Sequence, residues 1–525
     1  MRGFGRDILT TSYKEVTSEN VIPIIQAAMP IFQKNAMDCD FLLKYDAGDQ
    51  PLQRENDKKV MPWIDCQAVD NVAHEMVDFW QGHLFGNPIT IVQRGDSEQS
   101  DKKADGIRNL NNYYVATGSA RDQQKMANYI LVCGHCYTLT EINKEWEEGE
   151  SYFTHDVLDP RSAFVVRSTA YSDRRVILGV SLYKATENNY VITAYSKDNV
   201  YQIYAEKMNK PIVSTEKLNE WQRNYSWIHV DKSGEKNPMR KVCITEWYCN
   251  HNRMGIFENQ LSALDNINLL VSDISNGFEQ NIQAIWWSNN VDFPTKIVKD
   301  AEGNEIEVPV KPKNGEWLDT ASTKDGDNPT IQPLTIDYHL EEMQNSYIQQ
   351  RDLALQRAHV PMRNETSGGS SGVAMDSASG WADAEVVATS REEVIKGCFM
   401  DEIKVVLAVL RESPDIDIEN PVLSLNSSDI RPYIDRPRSS DVVSRVNAIA
   451  TLLSHGFALE DVISTIRLFS DSTEVVSRSG EGVKKYQENT VWGEGKEETA
   501  PNNDRLSSDL SDQYSESVIM KNSLI

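Results

Sequence analysis

The chain has 525 residues, with 53 Lys+Arg against 79 Asp+Glu and a formal net charge of −26. Apolar residues make up 40% and charged residues 25%, which excludes wholesale disorder and suits about two to four domains or one elongated body of several modules. The acidity speaks against a simple nucleic-acid binder, which rewards a basic footprint, and no run approaches the ~20 apolar residues of a membrane helix.

The opening MRGFGRDILTTSYKEV lacks the apolar core of a signal peptide, so a cytoplasmic setting is expected. Apolar positions at helical spacing from Val21 to Phe32, continued from Asn35 to Tyr45, predict two short helices within 17–47. A helix from about Cys66 follows, with Val69, Val72, Ala73, Met76, Val77 and Trp80 as its stripe. It stops before Pro88, and Ile89–Val92 reads as a strand. Ser119–Val132 predicts a helix ended by Gly134. A Val-, Ile- and Tyr-rich meander then runs through 136–140, 152–157, Val165, 177–183, 190–195, 200–204 and 242–248, an antiparallel sheet after helices.

From Phe257 to Ile285 the apolar residues recur at three- and four-residue steps, which predicts a helix of ~30 residues and ~45 Å. A Pro-, Gly- and Asp-rich segment (294–333) with short β-like runs such as Glu305–Val308 separates it from a second long helix, Ile336 to Ala358, ending at Pro361. Residues 362–372, MRNETSGGSSG, read as an exposed loop. Val373–Leu410 predicts one very long helix, bent near Gly380 or Gly397. Then come a strand-like PVLSLN (421–426), helices at 441–453 and 459–468, and a polar tail expected to be disordered.

Motifs for chemistry are sparse. Cys133-Gly-His-Cys136 could hold zinc with Cys243, Cys249 and His251, or could be a turn with buried thiols. The remaining cysteines, Cys39, Cys66 and Cys398, leave an odd total of seven, against a disulfide framework. Asp415, Asp417 and Glu419 alternate as a metal-dependent nuclease centre would require, but clusters of this kind arise by chance among 79 acids. There is no G-x-x-x-x-G-K-[ST] or HExxH, and Gly368-Gly369-Ser370-Ser371-Gly372, which spells G-x-S-x-G, lacks the preceding strand of a nucleophile elbow. The Gly368–Gly372 run could be a phosphate cradle, a linker or a loop at a functional surface. It lacks the preceding strand and the lysine of a cradle.

The order of motifs resembles the portal (head-to-tail connector) proteins of tailed bacteriophages, of the type common in phages with long non-contractile tails. WQGHLFGNPITI (80–91), YILVCGHCYTL (129–139), Leu158-Asp-Pro-Arg161, the Asn-rich lead into LLVSDISN at 250–276 and GGSSGVAM (368–375) carry the resemblance, across roughly residues 20–470. It implies an α+β, ring-forming subunit without enzymatic activity, cofactor or metal. Its modules would be an α/β wing (1–255), stem helices at 256–287 and 336–361, and a β-containing clip (288–335). A tunnel loop (362–372), a long wing helix (373–420), a helical crown (421–490) and a disordered tail (491–525) would complete it.

The resemblance further implies a homo-oligomer, expected as a dodecamer, at the capsid vertex of a virion assembled in a host cytoplasm. Double-stranded DNA would pass through the channel. Partners would be a large terminase, a head-completion or tail adaptor protein, and the major capsid or scaffold protein, with no membrane. The tunnel loop would comprise Met362, Arg363, Asn364, Glu365, Thr366, Ser367, Gly368, Gly369, Ser370, Ser371 and Gly372. It departs from the family in not being basic, since Glu365 offsets Arg363. Stem packing would use Phe257, Leu261, Leu264, Val271, Ile274, Phe278 and Ile282 against Leu340, Met343 and Tyr347, and clip docking Trp317 and Leu318. The rival readings are a metal-dependent nucleic-acid enzyme and a non-viral ring-forming scaffold.

Overall fold

A computed structural model describes residues 5–51, 66–94, 101–172, 174–213, 217–282, 285–289, 291–292, 295–299, 305–309, 321–322, 330–334, 339–362, 380–436, 442–457 and 462–463. The chain divides into two compact units, Met1–Arg438 and Ser439–Ile525. In the second, the described helix is Val442–Ser454, followed by a turn at Gly456.

Within the first unit the helices are α1 (Val21–Asp46), α2 (Val72–Phe85), α3 (Asp101–Ala116), α4 (Ser119–Cys133), α5 (Glu220–Asn224), α6 (Leu261–Ile282), α7 (Leu340–Arg357) and α8 (Trp381–Glu412). The strands of its body are β1 (Thr10–Thr11), β2 (Thr90–Gln93), β3 (His135–Ile142), β4 (Phe153–Leu158), β5 (Ala163–Ser168), β6 (Val176–Lys184), β7 (Asn189–Ser196), β8 (Asn199–Lys207), β9 (Tyr225–His229), β10 (Glu235–Lys236) and β11 (Ile244–Tyr248). The predicted meander is the larger sheet, ordered β1-β5-β6-β7-β8-β10 with β9 also on β8. A second sheet is ordered β11-β3-β4. Helices and strands together give the expected α+β class.

Two cores share α1. Its first half (Val21, Ile24, Ile25, Phe32) packs on the larger sheet through Phe164, Val180 and Ile203. Its second half (Cys39, Leu42, Tyr45) joins α2, α4, the smaller sheet and α8. The two short helices expected here are one helix, because its interior Pro30 is accommodated. Proline lacks the N–H that would bond the Gln26 carbonyl, and the Asn219 side-chain amide donates to that carbonyl instead at 2.9 Å.

Other expectations change as well. Helix α2 starts at Val72, not Cys66, with the Asn71 side chain accepting from the His74 N–H. Pro421–Ser424 of PVLSLN is a 3-10 turn rather than a strand, with a second at Ser427–Asp429, whereas Ile430–Tyr433 (β12) pairs antiparallel with β2. Residues 421–436 therefore pack within the first unit. The predicted 257–285 helix is a 3-10 turn at Glu258–Gln260 followed by α6, and Ile285 opens a strand, Ile285–Asn289, paired with Thr330–Leu334. Glu305–Pro309 is a strand as expected, paired with Thr295–Lys299. Helix α8 begins after Gly380, whose backbone is left-handed (φ 87°), and runs unbroken through Gly397. Residues 373–379, 464–468 and the tail lie outside the described residues.

Candidate functional site: a helical hairpin and the base of a loop

Helices α6 and α7 flank the strands of the 285–334 segment and pack on one another. Gly277 permits their close approach, since a Cβ there would lie 3.0 Å from the Leu340 side chain. The predicted packing residues divide by height along α6. Phe257 and Leu264 are buried in the body, Phe257 stacked on Tyr45 at 5.7 Å. Leu261, Val271 and Ile274 are half-buried, as are Leu340, Met343 and Tyr347 on α7, while Phe278 is 51% exposed. The Ile282 side chain, Trp317, Leu318 and Arg363–Gly372 lie outside the described residues.

The other face of α6 carries a polar ladder that apolar periodicity cannot reveal. Asn268, Ser272 and Asn276 stand one turn apart, and each accepts a backbone N–H of the extended segment before α2. The bonds are Asp70 N to Asn268 Oδ1 at 2.9 Å, Ala68 N to Ser272 Oγ at 3.0 Å and Cys66 N to Asn276 Oδ1 at 2.7 Å. Four helical residues rise about 6 Å and two extended residues about 6.6 Å, so the two repeats keep step. Polar residues at i, i+4 and i+8 were the available signal. On α7, Tyr347 Oη donates to Asp70 at 2.9 Å and Arg351 pairs with Asp70 and Glu75, so both helices of the hairpin are tied to the segment before α2, and α7 to α2 itself.

At the far end of α7 the chain turns through His359, in the left-handed region (φ 58°), to the half-buried Met362. The Trp80 indole N–H donates to the Ala358 carbonyl at 2.9 Å, and His359 pairs with Asp383 of α8. A Cβ on Gly380 would lie 3.8 Å from Pro361 Cα, so the chain leaves at Met362 and returns at Gly380 in one place. Trp381 packs on Phe79 and His83 of α2, and the guanidinium of the half-buried Arg391 lies 4.1 Å above the Trp80 ring. A small set of aromatic rings therefore fixes both feet of the 363–379 segment.

Helix α8 is anchored lower down by the buried Glu402. Its carboxylate accepts from Thr138 Oγ1 at 2.7 Å, Trp247 Nε1 at 3.1 Å and Tyr114 Oη at 3.2 Å, and lies 3.2 Å from His155 Nε2. Burial by itself raises the carboxyl, but the neighbouring His155 charge and these hydrogen bonds outweigh it and hold Glu402 below its ordinary range. Burial would lower His155, yet Glu402 and Asp122 raise it. Glu246 repeats the logic on β11: burial is outweighed by Arg253 and Arg167, which hold its carboxyl down at about 2.

Cys133 and Cys136 are buried, and burial pushes both thiols up. Asp415, Asp417 and Glu419 are exposed, and Asp417 accepts the Glu419 N–H in a local turn. Among the described residues no group of three or more His, Cys, Asp and Glu could hold a metal ion, and no helix is long and apolar enough to cross a membrane.

Comparison with known proteins adds a family model described as phage portal protein, SPP1 Gp6-like, which matches residues 34–478. No curated protein matches the chain.

Proposed function

Because this chain belongs to the phage portal protein family, we propose that it assembles into a ring of twelve at one capsid vertex and serves as the channel for double-stranded DNA during packaging and ejection. In this reading 1–255 and 373–420 form the wing, 256–287 and 336–361 (with α6 and α7) the stem, 288–335 the clip, and 421–490 the crown. The observation that carries the reading is the convergence of both feet of 363–379 on Trp80 and the His359–Asp383 pair. A segment held at one fixed base can project without loosening the helices beneath it, as a loop at a channel wall must.

At 1.5 Å per residue α6 and α7 are about 33 and 27 Å long, enough for a sleeve around about one turn of duplex DNA. Transport requires weak contact. A net charge of −26 per chain discourages immobile binding of DNA, while Asn364, Thr366 and Ser367 offer short-lived hydrogen bonds to phosphate. The clip, with Trp317 and Leu318, docks the large terminase and later the head-completion or tail adaptor protein. The wing and crown meet the major capsid or scaffold protein. No catalytic residue or cofactor enters this scheme, since the motor that consumes ATP is a separate protein.

Deleting 364–370 tests the loop's part. Because the base is closed by residues outside the deletion, the variant should assemble normally but fill capsids with DNA poorly. Filling equal to that of the parent protein, measured by nuclease-protected DNA per particle, would reject the role assigned to the loop.

A further inference from the structure

We propose that the outer face of the larger sheet is where a second copy of this chain seats its acidic turn around Ile418. The contact names the surfaces that join neighbours in the ring, and so rests on that reading.

Strand register defines the face. Tyr183 on β6 pairs with Val191 on β7, Val191 with Tyr204 on β8, and Tyr204 with Ile228 on β9. Their strand neighbours Leu182, Ile192 and Ile203 lie in the core with the first half of α1, so the row points away from that core. Tyr183, Tyr204 and Ile228 are 69, 49 and 56% exposed. The row crosses four strands, a width of about 14 Å. In the adjoining row Ser181, Thr193 and Gln202 bring no charge either. One step farther, a Cβ on Gly179 would meet Ile244 of β11, so the smaller sheet covers that end of the face. An uncharged centre with two tyrosines, inside a charged margin, has the composition of a protein contact.

The margin selects the occupant. Residues 169–243, between β5 and β11, hold 12 Lys+Arg against 8 Asp+Glu, a net +4 within a chain of −26. Lys184 and Lys207 end β6 and β8 beside the tyrosines, exposed and without an ion pair among the described residues. Against them stands Glu206, two residues past Tyr204 on the same face.

The complementary surface is on the same chain. The β3–β4 turn has four exposed glutamates between 145 and 150, and four exposed acids lie between 412 and 419, from the end of α8. The two turns adjoin: Trp146 stacks on Tyr152 at 4.9 Å, Tyr152 meets Tyr113 at 5.2 Å, and the Asn420 amide donates to Tyr113 Oη at 2.8 Å. Between Asp417 and Glu419, Ile418 is 91% exposed. An apolar knob among carboxylates complements an apolar face rimmed by lysines. Because the two patches differ, each copy can use both at once, and heterologous contacts of this kind close into rings.

Cross-linking tests the contact. Ile418→Cys and Tyr204→Cys, each in the full chain, are mixed in equal amounts and oxidised with copper phenanthroline. A pair of chains linked through positions 418 and 204 is expected in the mixture and not in either variant alone, which controls for the half-buried native Cys66. Tyr204→Ser combined with Ile228→Ser, both exposed, should raise the concentration at which rings form about ten-fold. Mass photometry of the parent protein separates the two claims. Parent rings without the mixed cross-link, or rings that form unchanged in the double variant, would overturn this contact and leave the ring standing. A parent protein that stays monomeric would overturn the ring, and this contact with it.

Discussion

Glu402→Ala should destabilise the first unit by about 3–5 kcal/mol, read as the shift in its urea-unfolding free energy. The substitution removes the shared acceptor of Tyr114, Thr138, His155 and Trp247, which come from α3, β3, β4 and β11. His155 would be left with Asp122 alone, 3.9 Å away, for its charge. Each donor left buried without an acceptor costs about 1–3 kcal/mol, and the losses overlap because the group acts as a unit. A loss below about 1 kcal/mol would show that the carboxylate is not the anchor of α8. The pH dependence follows from the same cluster. Glu402 is held below its ordinary 4.5 and Asp122 below its ordinary 3.8, so their stabilisation is in place above those values and is lost as pH falls through the lowered ones. His155 is held above its ordinary 6.5, so its contribution is complete below that value and is lost as pH rises through the raised one. The cluster therefore stabilises most between about pH 4.5 and 6.5, and Glu402→Gln should flatten the acid limb.

Gly134→Ala should be comparably severe, with a loss of about 3 kcal/mol or more and little soluble folded protein. The residue sits at φ 83°, where a side chain is strained, and its Cβ would lie 2.2 Å from the Arg253 carbonyl oxygen. Backbone cannot yield as a side-chain tip can. The turn that would have to move holds Arg253, whose guanidinium neutralises Glu246, and Gly255, which itself lies against the Val132 carbonyl. Gly82→Ala on α2 is the control, because nothing lies within 4 Å of its Cβ position and alanine favours the helix. Soluble yield and the urea midpoint distinguish the two variants. A Gly134→Ala protein as stable as the parent would mean that the 250–256 turn does not pack as described.

Apolar periodicity made much of this fold legible. The α2 stripe from Val72 to Trp80, the Gly134 stop and the Ile177–Tyr204 meander follow directly from side-chain alternation. What it missed depends on polar groups satisfied at long range. The segment before α2 looked helical because Val69 fits the stripe, but the ladder on α6 takes its backbone donors and leaves it extended. Pro30 is compatible with one helix only because Asn219 lies across from it. Charge on helix α3 hides its short apolar stripe, Ile107, Leu110 and Tyr114, from periodicity. At the candidate site, the Gly-rich run was visible as composition. Its base was not, since Trp80, Ala358, His359 and Asp383 come from three separate stretches of chain.

The acidity that first argued against dealings with DNA would take its meaning from the proposed assembly, since twelve chains of −26 would carry about −310. Such a body would repel phosphate from its walls, which suits passage rather than grip. The central claim is the ring, and mass photometry of the purified full chain tests it most directly. The account predicts a dominant species near 710 kDa, about twelve times the 59.4 kDa chain, with ring-shaped particles in negative stain. A solution holding only monomers, even with the capsid and scaffold proteins present, would contradict it.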